Sequence, residues 1–204
     1  YLGFEDVYNG GDKDLNDFVF IVEPEPIIID KTPISWTLAA EDLGNIDDFD
    51  FNDVVVSLQK VAGQTDLNIT ALAAGGTLPV KLQYNGEDIQ PADATYAEFH
   101  SWFGVDAPGA DKNYEMINTK SITRRGMTAT LKLDANYTLT QFMDATDNNM
   151  GGFKIVVDRE RNGSWTTQLT SPQDGTAPQM MCLPIGWAWP TERTRVVDAY
   201  DGFG

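Results

Sequence analysis

An acidic loop occurs twice in the sequence, and each copy leads directly into an apolar stretch. Residues 5–17 (the first acidic loop) align without a gap with residues 41–53 (the second acidic loop), at a constant offset of 36 positions. Both follow the pattern E-D-φ-x-N-x-x-D-x-D-φ-N-D, where φ is apolar. Residues 18–22 and 54–58, which come next, are rich in the β-branched and aromatic side chains that favour strands. The repeat therefore predicts two carboxylate-rich loops that each precede a β-strand.

Negative charge is concentrated around this repeat. The 204 residues carry 31 acidic and 14 basic side chains, a formal net charge of −17. Residues 1–53 hold 14 of the acids and only two of the bases. Such a charge repels phosphate backbones, so we expect no binding to nucleic acid. No apolar stretch reaches the roughly 20 residues of a membrane-spanning helix, so we predict no transmembrane segment.

The composition of the two loops points to a hard cation. Ca²⁺ takes about six to eight oxygen ligands, and alternate carboxylates in a tight loop can converge on one ion. The loops lack the later glycine and the closing glutamate of an EF-hand and precede a strand instead of a helix. The alternative is a solvated acidic turn closed by Asx hydrogen bonds. The predicted Ca²⁺ ligands are Asp12, Asp14, Asp17, Asp48, Asp50 and Asp53, with Glu5, Asp6, Glu41 and Asp42 reaching back from the start of each loop, and Asn16 and Asn52 either ligating or bracing.

Both ends of the chain resemble a known family. Residues 3–20, G-F-E-D…G-D-K-D-L-N-D-F-V-F, resemble the signature of a widespread bacterial extracellular domain of unknown function. Residues 36–55, W-T-L-A-A-E-D-L…D-F-D-F-N-D-V-V, are similar to the opening of the LruC-type domain, and residues 183–200, L-P-I-G-W-A-W-P…V-D-A-Y, to its closing segment. Ala40 stands where that family more often has an aromatic residue. The family occurs in surface lipoproteins and secreted proteins of Bacteroidota and some other Gram-negative bacteria. The resemblance implies an exported, calcium-associated, non-catalytic β domain, and it supplies no binding partner.

The rest of the sequence predicts an antiparallel β-sandwich of the jelly-roll kind. Segments 34–38, 67–73 and 80–84 alternate apolar and polar residues, as half-buried strands do. Asn85-Gly86 predicts a type I′ hairpin, and Asn162-Gly163 predicts a second one that joins residues 153–158 to residues 165–169. Short strands, tight turns and little helix together indicate an all-β fold.

Only two short helices are expected. They cover residues 95–103, where Thr95 and Glu98 make a capping box, and residues 192–200. We expect residues 1–204 to form one compact β domain and a monomer. Residues 1–23 either add an edge strand to it or belong to the edge of a preceding domain, and residues 24–33 form a connector that contains prolines.

Single residues with chemical potential are few. The chain has one cysteine, Cys182, and one histidine, His100, which excludes an internal disulfide and disfavours a zinc site. We predict that both side chains serve the core. Trp187 and Trp189 either pack near the C-terminus or form a stacking platform for sugars.

Three functional classes follow from these features. We favour a non-enzymatic, calcium-stabilised extracellular module of a bacterial surface or secreted protein, with an adhesion or structural role and a glycan or cell-surface protein as partner. The first alternative is a carbohydrate-binding module that uses Trp187, Trp189 or Trp102. The second is a glycoside hydrolase, which is disfavoured because its acid needs a hydrophobic setting, whereas these acids lie in an anionic repeat. We therefore predict no catalytic residue.

Overall fold

The computed structural model describes residues 2–4, 18–20, 34–43, 48–109, 114–135, 152–168 and 178–202. The strands in these ranges are β1 Leu2–Phe4, β2 Phe18–Phe20, β3 Ile34–Ala40, β4 Val54–Lys60, β5 Asp66–Ala73, β6 Val80–Tyr84, β7 Glu87–Asp88, β8 Thr128–Lys132, β9 Phe153–Val157, β10 Thr166–Thr167 and β11 Met180–Pro184. A 3₁₀ helix covers Phe99–Phe103, and one turn of α-helix, α1, covers Val196–Ala199. Neither helix is long and apolar enough to cross a membrane.

The strands form two principal antiparallel sheets. One has five strands in the order β11-β3-β4-β5-β8, and the other has four in the order β10-β9-β6-β7. Each pair of neighbouring strands is antiparallel. β1 and β2 pair with each other in a separate two-stranded ladder. The predicted all-β sandwich is confirmed.

A single large apolar cluster joins the two sheets. In β5 every second residue is buried, beginning with Leu67 and Ile69, and these side chains meet Leu82 of β6 and Ile155 of β9. Trp102 of the 3₁₀ helix is 0% exposed within the same cluster. Burying a side chain of this size contributes about 1.5–3 kcal/mol, so this cluster contributes more to stability than the smaller apolar cluster of the described residues.

The other face of the five-stranded sheet is also covered at one end. Val54, Val55 and Val56 are consecutive in β4 and are all buried, which strict alternation would not allow. Val55 belongs to a second, smaller cluster that includes Val196 and is packed by Trp187. The C-terminal segment therefore covers this face of β4, next to the second acidic loop.

One of the two predicted hairpins has the predicted geometry. Asn85 and Gly86 have φ angles of 49° and 87°, the left-handed pair that a type I′ turn requires. For the second hairpin the strand pairing was predicted correctly, since β9 and β10 pair, but the tight turn was wrong. Residues 158–165 form a longer connection between the two strands. That loop is organised by Asp158, whose carboxylate accepts hydrogen bonds from the backbone N–H groups of Asn162 and Gly163.

Both predicted helices are shorter than the sequence indicates. Residues 95–98 are not helical, and the capping box is wrong because Glu98 is itself the N-cap, accepting from the His100 N–H at 2.8 Å. Residues 192–195 likewise precede α1. The predicted connector at residues 24–33, and most of residues 1–23, lie outside the described residues.

Candidate metal centre

Three predicted ligands of the second acidic loop come together. Glu41 directly follows β3, Asp48 and Asp50 precede β4, and the antiparallel pair Ala40↔Val54 brings the two segments side by side. One carboxylate oxygen from each acid lies within 4.8 Å of the other two. Glu41 is 0% exposed and Asp50 1% exposed, while Asp48 is half-buried. Carboxylates at this spacing repel one another unless a cation or protons neutralise them.

The loop holds this arrangement with an uncommon backbone. Phe49 and Phe51, on either side of Asp50, have φ angles of 56° and 53°. Such left-handed conformations cost non-glycine residues on the order of 1 kcal/mol each and persist only where surrounding contacts enforce them. Here the Phe51 N–H donates to Glu41 Oε1, and the Phe51 ring is buried. The strained turn therefore points Asp50 towards Glu41.

Residues 190–196, which we call the C-terminal clamp, lie against this loop. Three hydrogen bonds join them: the Arg193 N–H to Asp50 Oδ2 at 2.7 Å, Asn52 Nδ2 to the Pro190 carbonyl at 3.2 Å, and the Val196 N–H to the Phe49 carbonyl at 2.9 Å. The clamp is thus joined to the loop through Phe49, Asp50 and Asn52, and it supplies one backbone donor to Asp50. Nothing in the local sequence signals it, because its partners are about 140 positions apart.

The charge state of Asp50 reflects these surroundings. The pKa of Asp50 is raised from 3.8 to about 7, chiefly by burial and also by the neighbouring Asp48 and Glu192 carboxylates, while backbone hydrogen bonds from Arg193 and Asn52 oppose the rise. An anion in this position is costly without a positive partner. A bound divalent cation would supply that partner.

The other predicted ligands of this loop have different contacts. Asp53 Oδ2 accepts from the Asp42 N–H at 2.8 Å, and Asp42 Oδ2 accepts from the Leu78 N–H at 2.8 Å. The Asn52 N–H donates to Asp50 Oδ1 at 3.3 Å, so Asn52 braces the loop through both of its nitrogens. Asn52 Oδ1 is buried and accepts no hydrogen bond from the described residues. Asp42 and Asp53 tie the loop to the segment before β6, outside the three-carboxylate group.

The tryptophans proposed as a stacking platform are packed into the protein. Trp187 and Trp189 are half-buried against the smaller apolar cluster, and the Trp187 ring centroid lies 5.9 Å from that of Tyr200. Trp189 Nε1 donates to the Asn118 carbonyl at 2.8 Å. Trp102 is fully buried, so it cannot stack on a sugar. These contacts favour the packing role.

His100 and Cys182 lie in protein interior rather than in a reactive setting. His100 is 0% exposed, and its Nδ1 lies 2.8 Å from Glu98 Oε1. Cys182 is half-buried in β11, where burial raises the pKa of its thiol to about 12. The thiol is therefore protonated at neutral pH and is a poor nucleophile.

The predicted ligands of the first acidic loop lie outside the described residues; they are Glu5, Asp6, Asp12, Asp14, Asn16 and Asp17. No protein-family model matches the chain, and neither a curated protein nor a solved structure does.

Proposed function

We propose that this protein is a non-enzymatic, calcium-stabilised extracellular β-sandwich module that serves adhesion or structure at a bacterial surface or in a secreted protein. The observation that carries the proposal is the group of buried Glu41 and Asp50 with half-buried Asp48, in which one carboxylate oxygen of each lies within 4.8 Å of the others. Hard oxygen donors at this spacing suit Ca²⁺. When the carboxylates of the group are ionised, their charges oppose folding, so a bound cation stabilises the folded state.

The proposed extracellular location agrees with the affinity range of other extracellular calcium modules. Extracellular calcium modules bind Ca²⁺ with Kd values of about 10⁻⁴–10⁻³ M, and such sites fill only where calcium is millimolar. The resemblance to LruC-type domains supports the same location. A structural ion also explains why the loop is strained and covered by the clamp, since a rigid, water-poor site holds an ion in one geometry.

Burial of the cluster argues against the glycoside hydrolase. A raised pKa such as that of Asp50 is what a catalytic acid requires. However, a substrate must reach the acid, and Asp50 is 1% exposed and Glu41 0% exposed. The same two features fit a structural cation, which needs no access once it is bound.

The test is thermal unfolding of the full chain in EDTA and in CaCl₂, with calorimetric titration of the stripped protein. At free Ca²⁺ ten times Kd, binding adds about 1.4 kcal/mol to the free energy of unfolding. For a chain of this size we expect Tm to rise by about 3–6 °C. Mg²⁺ at equal concentration should raise it less, because it demands a smaller octahedral shell. No shift in Tm together with no heat of binding would overturn the calcium proposal.

The repeat offers matched variants that assign the ions to loops. Asp14 and Asp50 occupy equivalent positions, so Asp14→Asn and Asp50→Asn make the same chemical change in the first and second acidic loops. If each loop holds its own ion, each variant should lower the calorimetric stoichiometry by one. If the loops share a cluster, either change should weaken all binding. Unaltered binding in Asp50→Asn would contradict the assignment to the second loop.

A further inference from the structure

An open groove of about 660 Å³ lies beside the four-stranded sheet, and its lining shares no residue with the acidic cluster. It is formed by β6, by the segment between β7 and the 3₁₀ helix, by residues 107–109, and by the loop that joins β9 to β10. We call it the Tyr96–Trp165 groove after its two aromatic residues. None of the candidate metal ligands lines it. Its volume is within the range of about 300–1,000 Å³ that is typical of small-molecule sites.

The groove presents one largely exposed aromatic ring to solvent and a second ring that Lys81 partly covers. Tyr96 is 62% exposed, and it is the one aromatic side chain among the large apolar residues that are exposed in the described part of the chain. Trp165 is half-buried, and Lys81 Nζ lies 4.4 Å from its ring centroid. The indoles Trp102, Trp187 and Trp189, by contrast, are occupied in packing. Aromatic rings that carry a polar handle are typical of surfaces that bind amphipathic ligands.

The charged residues of the groove balance. Lys81 and Arg161 oppose Glu98 and Asp158, so the formal charge of the lining is zero in a chain whose net charge is −17. Lys81 also pairs with Asp88, with 2.6 Å between Nζ and Oδ2. A lining of this kind gives no net attraction to an anionic or a cationic ligand.

Both carboxylates of the lining are held by the protein itself. Glu98 accepts from the N–H groups of Val80 at 3.2 Å and His100 at 2.8 Å, and Asp158 accepts from the N–H of Gly163 at 2.6 Å. Both carboxylates therefore already have hydrogen-bond partners within the protein. Arg161, in contrast, donates through one terminal nitrogen to the Thr77 carbonyl at 2.9 Å, while its buried Nε donates to no described residue.

We propose that the Tyr96–Trp165 groove binds a neutral oligosaccharide. The C–H face of a pyranose ring packs on an aromatic ring, and its hydroxyl groups accept from donors such as those of Lys81 and Arg161. The balanced charge of the lining favours a neutral sugar over an acidic one. The proposed sugar site thus lies beside the four-stranded sheet and does not include the C-terminal tryptophans, for which the sequence left packing and stacking open. The proposal does not depend on calcium binding, because the two sets of residues do not overlap.

The experiment titrates the full chain, in CaCl₂, with neutral hexasaccharides of glucan, xylan, mannan and galactan by calorimetry. Hexagalacturonate serves as the acidic comparison, and a random hexapeptide pool serves as the peptide comparison. We expect binding of at least one neutral sugar, and a Kd about tenfold weaker or more in Tyr96→Ala and in Trp165→Ala. Trp187→Ala should leave the Kd unchanged. Because Tyr96 is largely exposed, Tyr96→Ala should keep the parent Tm, and Trp165→Phe should restore part of the affinity.

Three results would overturn the proposal. They are failure of every neutral hexasaccharide to bind, an unchanged Kd in both groove variants, and tighter binding of hexagalacturonate or of the peptide pool. None of them bears on calcium, since the change in Tm between EDTA and CaCl₂ is measured without sugar. Conversely, sugar binding with no effect of calcium on Tm would uphold the groove and contradict the structural ion.

Discussion

In the absence of a divalent cation, the protein should lose stability as the pH rises from about 5 to about 8. Asp50 has a pKa of about 7 in the folded protein, against 3.8 for an unperturbed aspartate. Between these values the folded state holds a proton that the unfolded state has released, so stability falls with rising pH and the loss is complete above about 7. One pKa unit corresponds to about 1.4 kcal/mol, and about two units lie between pH 5 and the folded pKa, which gives a loss on the order of 3 kcal/mol. Urea denaturation in EDTA at several pH values measures it.

Two variants make this result specific to Asp50. Asp50→Asn should be nearly independent of pH in this window, while Asp93→Asn, which changes an exposed aspartate, should follow the parent protein. The aspartates with lowered pKa, Asp66 and Asp88, titrate below this window and do not disturb it. With CaCl₂ the trend should reverse, because protons compete with the cation for the same oxygens. A parent protein in EDTA that is equally stable at both ends of the range would contradict the buried, raised-pKa carboxylate.

Gly75→Ala should destabilise the protein by about 3 kcal/mol, the upper end of the usual cost of overpacking. A Cβ at this position would lie 2.0 Å from Asn52 Oδ1 and 2.9 Å from Thr119 Cγ2. Asn52 cannot move aside easily, because two hydrogen bonds hold it. Its side-chain Nδ2 donates to the Pro190 carbonyl, and its backbone carbonyl accepts from the Gly75 N–H at 3.0 Å. The substitution should therefore displace the second acidic loop and weaken calcium binding as well. Chemical denaturation and calorimetric titration give the two readouts.

A double-mutant cycle separates this clash from a general effect of alanine. Asn52→Ala removes the obstructing oxygen, so the double variant should be more stable than the sum of the single changes predicts. Gly63→Ala is the glycine control: its φ is +75°, but a Cβ there meets no atom within 4 Å. We expect it to cost about 1 kcal/mol from backbone strain alone and to leave calcium affinity unchanged. Strict additivity of Gly75→Ala and Asn52→Ala would contradict the proposed contact.

Local patterns predicted the strands well because strand formation depends on features that neighbours in sequence share. β6 covers residues 80–84 as predicted, and β3 extends only two residues beyond the predicted end. The first helix was overestimated because its boundary depends on a residue from another element. Glu98 accepts from Val80 of β6 as well as from His100, which keeps residues 95–98 out of the helix.

The candidate sites were predictable only in part for the same reason. The D-x-D spacing predicted that Asp48 and Asp50 share a site, and the repeat indicated Glu41 as a third ligand. No spacing reveals that Asp42 accepts from Leu78, or that Arg193 donates to Asp50. The sugar-stacking hypothesis rested on the closeness of Trp187 and Trp189 in the sequence. Whether a tryptophan side chain is exposed depends instead on which sheet face its segment covers, and these two pack against the smaller apolar cluster. Exposed aromatic surface is found instead where distant loops leave a groove.

The C-terminal clamp also has a consequence for the order in which the protein is made. β3, β4 and the second acidic loop leave the ribosome about 140 residues before Pro190 and Arg193 are added. At a synthesis rate of about 5–20 residues per second, the residues that donate hydrogen bonds to this loop are added on the order of ten seconds after the loop itself. Until then Asp50 lacks its Arg193 N–H, and the strained turn lacks the bond to Val196. The candidate metal centre is thus completed only after nearly all of this sequence has been synthesised, so a purified chain that ends before Pro190 should bind calcium more weakly than the full chain.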